Sequence, residues 1–246
     1  MQDDIFSRVD DLIKKHGTSD PKEIAKANNI SVADLKGTIP GYAAVFGPQP
    51  IIGLNVRLSF MWYMLGGWHE LAHVFDGHIY EQSFRTGHRD SGFFTADVNS
   101  RSISRHERTA NLVAAHVFLE DDIVLDITGF SSPILKRYRT IRAQQEKLAH
   151  DFEVLQCSIF EGYASNYLKV QLQDTRRKLR SVSDALSDME NEMVHLEFCR
   201  SFSDMAAELG VDERILRYKL ESMRLRGYDI DVQELEDYSK MFTDVV

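Results

Sequence analysis

The chain has 246 residues, 43% hydrophobic and 27% charged, enough for one sizeable core and an appended module. Its net charge of −9 argues against nucleic acid as the partner of the whole chain. No run of about 20 apolar residues is present to span a bilayer, and the acidic start Met1-Gln2-Asp3-Asp4 does not read as a signal peptide, so a cytoplasmic location without a membrane partner is expected.

Ile5, Phe6, Val9, Leu12 and Ile13 recur at the 3–4 spacing of an amphipathic helix over residues 3–16, which Gly17 ends. Asp20 is a ready N-cap with Pro21 at the first helical position, and Asn28-Asn29 close that second helix near Ala27. Tyr42–Phe46 and Ile51–Leu54 read as strands flanking a turn at Gly47-Pro48-Gln49-Pro50. Asn55 then reads as the cap of a helix from about Val56 to Phe75, stopped by Asp76-Gly77.

That helix carries His69-Glu70-Leu71-Ala72-His73. Positions i and i+4 stand one above the other on a helix, so the two imidazoles converge as a zinc ion requires. Glu70, one step round, is placed to take a proton from a water held there without itself being a ligand. Two ordinary helix histidines and a solvated glutamate would give the same five letters, so the motif needs support from elsewhere.

Residues 78–103 are polar and weakly periodic and read as a long loop, with a short strand near Gly92-Phe93-Phe94-Thr95; loops of this length are usually functional. A further helix is predicted from about Ser104 to Leu119, with Leu112, Ala115 and Leu119 inward. Beyond Pro133 the composition turns charged and helical. Ile141, Leu148, Phe152, Leu155 and Ile159 form one stripe, interrupted by Gln145, and Gly162 breaks the run. Leu179, Val182, Leu186, Met189, Met193 and Leu196 form a heptad seam, so the two helices fold back as a hairpin or pair between chains. Cys157 and Cys199 lie far apart in these helical segments and are expected to be free thiols in a reducing cytosol. Residues 203–230 look like a helix-turn-helix with the turn at Gly210 and the second helix starting near Asp212. Between Arg200 and Arg226, six Lys/Arg stand against five Asp/Glu, a net of one positive charge, which is weak for a DNA footprint.

A catalytic zinc takes three protein ligands and keeps a fourth position open. The metzincin extension fails, because Asp76 stands at its glycine position and Ile79 at its third histidine, with His78 one residue out of frame. Glu107 is the better third ligand. It lies on a separate helix, and the small Ala110 beside it lets two helices approach closely.

Together these residues resemble the ImmA/IrrE family of metallopeptidases. The likeness covers roughly residues 20–120: Asp20-Pro21 with Ile24-Ala25, Gly37 to Gly41, Ile51–Asn55, the motif at His69–His73, and Glu107-Arg108-Thr109-Ala110-Asn111, which matches the family's Glu-x-x-Ala-Asn signature. Val117-Phe118-Leu119-Glu120 departs from the usual ending, and the gap between the signatures is long. The resemblance implies zinc held by His69, His73 and Glu107, with Glu70 as the catalytic base. It implies an α+β fold: a mainly helical zincin-like catalytic domain with a small β-sheet or hairpin, followed by a helical C-terminal region. Residues 1–130 would be the metallopeptidase domain, 131–200 a helical hairpin or coiled coil through which chains could associate, and 201–246 a helix-turn-helix-like module. Tyr63, His78, His88 and His106 are candidates for a second oxyanion donor, and none is assigned.

The implied function is zinc-dependent cleavage of a regulatory protein, a Cro/cI-like transcriptional repressor, that derepresses mobile-element or stress genes. Direct nucleic-acid binding is not expected. The hairpin before the metal helix would offer an edge strand to an extended substrate, and residues 135–230 would recognise the partner protein. The alternative is a DNA-binding or adaptor regulator with a structural or vestigial metal site, read through residues 203–230.

Overall fold

The computed structural model describes residues 3–80, 94, 104–130, 132–160, 165–195 and 201–231. The fold is α+β, mostly helical with one small three-stranded sheet. The chain divides into two units, one formed by residues 1–124 with 201–237, the other by 125–200 with 238–246.

In the first unit, α1 (Asp3–His16) buries Ile5, Phe6 and Val9 on one stripe. The Asp20 carboxylate caps α2 (Pro21–Ala27), accepting from the backbone of Lys22 and Glu23. Three strands follow: β1 (Ser31–Asp34), β2 (Gly41–Phe46) and β3 (Gln49–Leu54), in the order β1-β3-β2. β3 runs parallel to β1 and antiparallel to β2. The predicted hairpin is present, with its turn shortened to Gly47-Pro48 and Gly47 at the φ of +64° that the first position of such a turn favours. Pro50 is tolerated in the central strand for a local reason. It pairs with Val45 next to the turn-closing pair Phe46–Gln49, and β1 begins opposite Ile51, so no partner awaits the missing N–H. β1 was not anticipated: four residues are too few to show alternation, and its pairing to β3 is non-local.

Asn55 is not a helix cap. It is buried, its Nδ2 donates to the carbonyls of Gly37 (2.8 Å) and Ile39 (3.1 Å), and its Oδ1 accepts from the Arg57 backbone. The helix α3 (Phe60–Phe75) therefore starts later than expected, after Ser59. It is tied to the chain entering α2: the Trp68 indole donates to the Ser19 carbonyl (2.8 Å), and the Tyr63 hydroxyl donates to the Asp20 cap (2.9 Å). A 3-10 turn (His78–Tyr80) follows. Helix α4 (Arg105–Phe118), capped by Ser104, packs against α3 and buries Ala110, and Leu112, Ala115 and Leu119 are buried as the periodicity predicts. The strand expected near residues 92–95 lies outside the described residues except for Phe94.

Helices α8 (Phe202–Glu208) and α9 (Glu213–Leu225) form the anticipated two-helix unit, with a capping box at Ser201/Asp204 and Asp212 capping α9. The structure groups this segment differently from the sequence-based division into three domains. It shares a unit with residues 1–124, because α9 packs against α4 and buries Ile215, Leu216, Tyr218, Leu220 and Met223. A polar cluster fastens the end of α9. Lys219, 1% exposed, reaches Asp121 (2.6 Å) and the His116 carbonyl (3.0 Å), while Arg226 and Tyr228 also donate to the Asp121 carboxylate. Burial pushes the Asp121 carboxyl up, but its bonds to Arg226, Lys219 and Tyr228 outweigh that and hold it well below the usual range.

Helix α5 (Asp121–Thr128) spans the boundary between units. The second unit is built on α6 (Pro133–Phe160) and α7 (Asn166–His195). Tyr138 donates to Glu190 (3.0 Å) and Gln145 to Ser183 (3.0 Å), a register that makes the pair an antiparallel hairpin. The seam residues Leu186, Met189 and Met193 are buried, and the Gln145 that interrupts the α6 stripe finds its polar partner across the interface. Leu196 and Cys199 lie outside the described residues; Cys157 is an exposed free thiol.

Removing the Asp121 charge leaves Lys219 and Arg226 without their shared anion. The Asp121→Asn variant is expected to lose about 3 kcal/mol of stability at neutral pH, read by urea unfolding. Because the folded-state pKa of Asp121 is depressed, its contribution is complete above the ordinary value of 3.8 and declines as pH falls below it. The variant should therefore converge with the wild type in strong acid.

Candidate metal centre

His69 and His73 stand one turn apart on the face of α3 that meets α4, and both are fully buried. Their Nε2 atoms lie 3.1 Å apart. Glu107 enters from the first turn of α4, with Oε2 3.3 Å from His69 Nε2 and Oε1 3.4 Å from His73 Nε2. Ligands bonded at about 2.0–2.1 Å to a tetrahedral ion stand about 3.3–3.4 Å from one another. The three side chains singled out in the sequence thus meet at the separations a divalent metal ion requires.

Proton placement points the same way. His69 Nδ1 is 3.0 Å from Asn111 Oδ1, and that same oxygen accepts the backbone N–H of Phe94 (3.3 Å). An atom accepting from a backbone N–H is the amide oxygen, so His69 Nδ1 carries the proton and Nε2 presents its lone pair to the centre. This is the usual arrangement behind a metal-bound histidine. Burial pushes the Glu107 carboxyl up, but positive charge and hydrogen-bond donation at this point outweigh it and hold it well below the usual carboxylate range; a cation bound by the Nε2 lone pairs would supply that positive charge in place of imidazole protons.

Ser104 and Glu107 have capping-box spacing, and Ser104 does cap α4, accepting from the Glu107 backbone (3.2 Å). The Glu107 carboxylate turns instead toward the imidazoles.

Glu70 is not part of the triangle. It is buried against the start of β2, where a Cβ at Gly41 would fall 2.7 Å from Glu70 Cγ and 3.3 Å from its Oε1. Only glycine fits at that position beside the carboxylate.

Among the other candidates, Tyr63 is committed to Asp20, and burial followed by that bond raises its phenol well above the usual range. His88 lies outside the described residues. His78 and His106 do come close, forming with Asp76 a second group of potential ligand atoms within 4.8 Å of one another. Two contributors had no assigned role in the sequence reading, Asn111 and Gly41. Asn111 could have been found from its place four residues after Glu107, on the same helix face; Gly41 gave no local signal.

No protein-family model matches this chain, and neither a curated protein nor a solved structure does.

If Asn111 holds the His69 tautomer, Asn111→Ala keeps all three ligands yet weakens metal binding by about 10–100-fold. Chelator competition on the purified variant measures this, and unchanged affinity would exclude the role.

Proposed function

We propose that this chain is a zinc-dependent endopeptidase that acts on a regulatory protein. The observation that carries the reading is the triangle of His69, His73 and Glu107. Two neutral imidazoles and one carboxylate make a zinc-type donor set with room for a fourth, exchangeable position. The ordered resemblance to ImmA/IrrE metallopeptidases supports the same chemistry and suggests a Cro/cI-like repressor as substrate.

Zinc bound there would supply Lewis acidity and lower the pKa of water toward about 7. The chain's own residues do the rest. Glu107 offsets part of the ion's charge, and Asn111 keeps the His69 lone pair directed inward. Glu70 accepts a proton from the attacking water and later delivers it to the leaving amine. β2 lies at an edge of the described sheet, and its first residue, Gly41, touches Glu70. An extended peptide that added to β2 would run its main chain past the base.

One observation weighs against the DNA-binding alternative. A reading helix must present its side chains to a groove, whereas α9 has Ile215, Leu216, Tyr218, Lys219, Leu220 and Met223 buried. The same packing makes α9 a poor site for recognising a partner protein.

The test is cleavage of a purified Cro/cI-like repressor, the one encoded beside this chain if there is one, by the purified protein. Cleavage should require zinc and stop on chelation. Glu70→Gln should keep zinc and lose about 10²–10⁴-fold in rate, because only the proton acceptor is removed. Gly41→Ala should also keep zinc and lose activity, since its methyl group would displace the Glu70 side chain. Wild-type rates in Glu70→Gln would remove Glu70 as the base.

A further inference from the structure

Helix α3 does not simply stop after the metal motif. The Asp76 backbone N–H still reaches the Ala72 carbonyl (2.9 Å), Gly77 reverses the chain at φ +80°, and the 3-10 turn brings His78 back against His73. His73 Nδ1 and His78 Nδ1 are 3.3 Å apart. The other nitrogen of His78, Nε2, contacts the Asp76 carboxylate. His78 is buried, while Asp76 is 39% exposed at its side chain. The ring of His106 meets that of His78 edge-on, centroids 3.6 Å apart and planes inclined at 63°.

We propose that Asp76 and His78 are positioning residues for His73, fixing its tautomer and ring orientation as a metal ligand. The inference rests on the metal reading given above. If His73 ligates through Nε2, its proton must sit on Nδ1, which needs an acceptor. His78 Nδ1 is that acceptor only if His78 carries its own proton on Nε2, and Nε2 faces a carboxylate. One set of protons therefore serves the whole line: metal, His73, His78, Asp76. The carboxylate at its end makes His73 a stronger ligand through His78. His69 is held by a buried amide and His73 by a histidine–carboxylate pair, so the two metal imidazoles are fixed by different means.

Asp76, His78 and His106 could instead be read as ligands of a second ion. Coordination through His78 Nε2 would leave the His78 proton on Nδ1, facing the Nδ1 proton of His73. Two donors would then oppose each other at 3.3 Å. The positioning role avoids this conflict.

The experiment compares full-length wild type, His78→Ala, His78→Asn, Asp76→Asn and His106→Ala. Zinc affinity is measured by chelator competition and metal geometry by the visible spectrum of the cobalt(II) form. His78→Ala should weaken zinc binding by about 10–100-fold and alter the cobalt bands. His78→Asn, whose amide oxygen can accept from His73, should recover much of the loss. Asp76→Asn, at a partly exposed position that preserves folding, should weaken binding in the same direction by less. Each protein should saturate at one ion.

Wild-type affinity and spectrum in both His78→Ala and Asp76→Asn would overturn the proposal while leaving the metal site standing. So would failure of His78→Asn to recover any of the loss. A wild type that takes two ions, losing one in both Asp76→Asn and His106→Ala, would make the group a second metal site instead. A wild type that binds no zinc would remove the metal reading and this inference together.

Discussion

The contact between α3 and α4 is the constraint on which the site depends. It brings two imidazoles and the Glu107 carboxylate together in the interior, where an unpaired charge is costly and an unpaired dipole nearly as unwelcome. Glu107 faces His69 and His73 there, its two oxygens 3.3 and 3.4 Å from their Nε2 atoms. Without a cation the cluster has one anion and two lone-pair nitrogens directed at a common point, an arrangement that a divalent ion completes. Packing alone would have favoured apolar side chains at these positions.

The geometry reaches outward from that contact. Asn111, which holds His69, also accepts from the backbone of Phe94; the buried ring of Phe94 meets Tyr218 of α9 edge-on, centroids 5.3 Å apart. A residue more than a hundred positions beyond His73 thus packs on Phe94, whose backbone meets the Asn111 amide that holds His69. Arg108, next to Glu107, is tied to Glu221 of the same helix (2.9 Å), and Lys219 is anchored at the opposite end of α4 through the His116 carbonyl. The α8–α9 pair has the outline of a nucleic-acid reader and serves as the back wall of α4. Its nearly balanced charge was the sequence clue: charges that pair with their own chain leave little for phosphate.

What could be read from the sequence was what is local. The i,i+4 histidines, the Ser104 cap, the Asp20-Pro21 start of α2 and the heptad seam each depend on residues within a turn or two, and each appears in the structure. Glu107 required a second motif because nothing near it in sequence says which way its carboxylate turns. Asn55 was misread because a cap and a loop staple use the same amide; its targets, Gly37 and Ile39, lie well upstream. β1 and the grouping of α9 with α4 were invisible for the same reason, being set by pairings across many residues.

The position of Glu70 comes from a further non-local fit. Two glycines in mid-helix, Gly66 and Gly67, each cost about 1 kcal/mol relative to alanine, so close approach by neighbouring chain must offset them. A Cβ at Gly67 would fall 2.4 Å from the Pro21 ring, and one at Gly66 would fall 2.8 Å from Pro40. Pro40 and Gly41 are consecutive, and they cover positions 66 and 70, one helical turn apart. The segment entering β2 therefore runs close along α3, with Pro40 over Gly66 and the Gly41 backbone over the Glu70 side chain. The placement of the sheet edge beside Glu70 follows from this: the Gly-Gly step lets Pro40 sit down on the helix, and Pro40 delivers Gly41 to the carboxylate. A larger residue at 66 would lift both, moving the strand edge away from Glu70 without touching His69, His73 or Glu107.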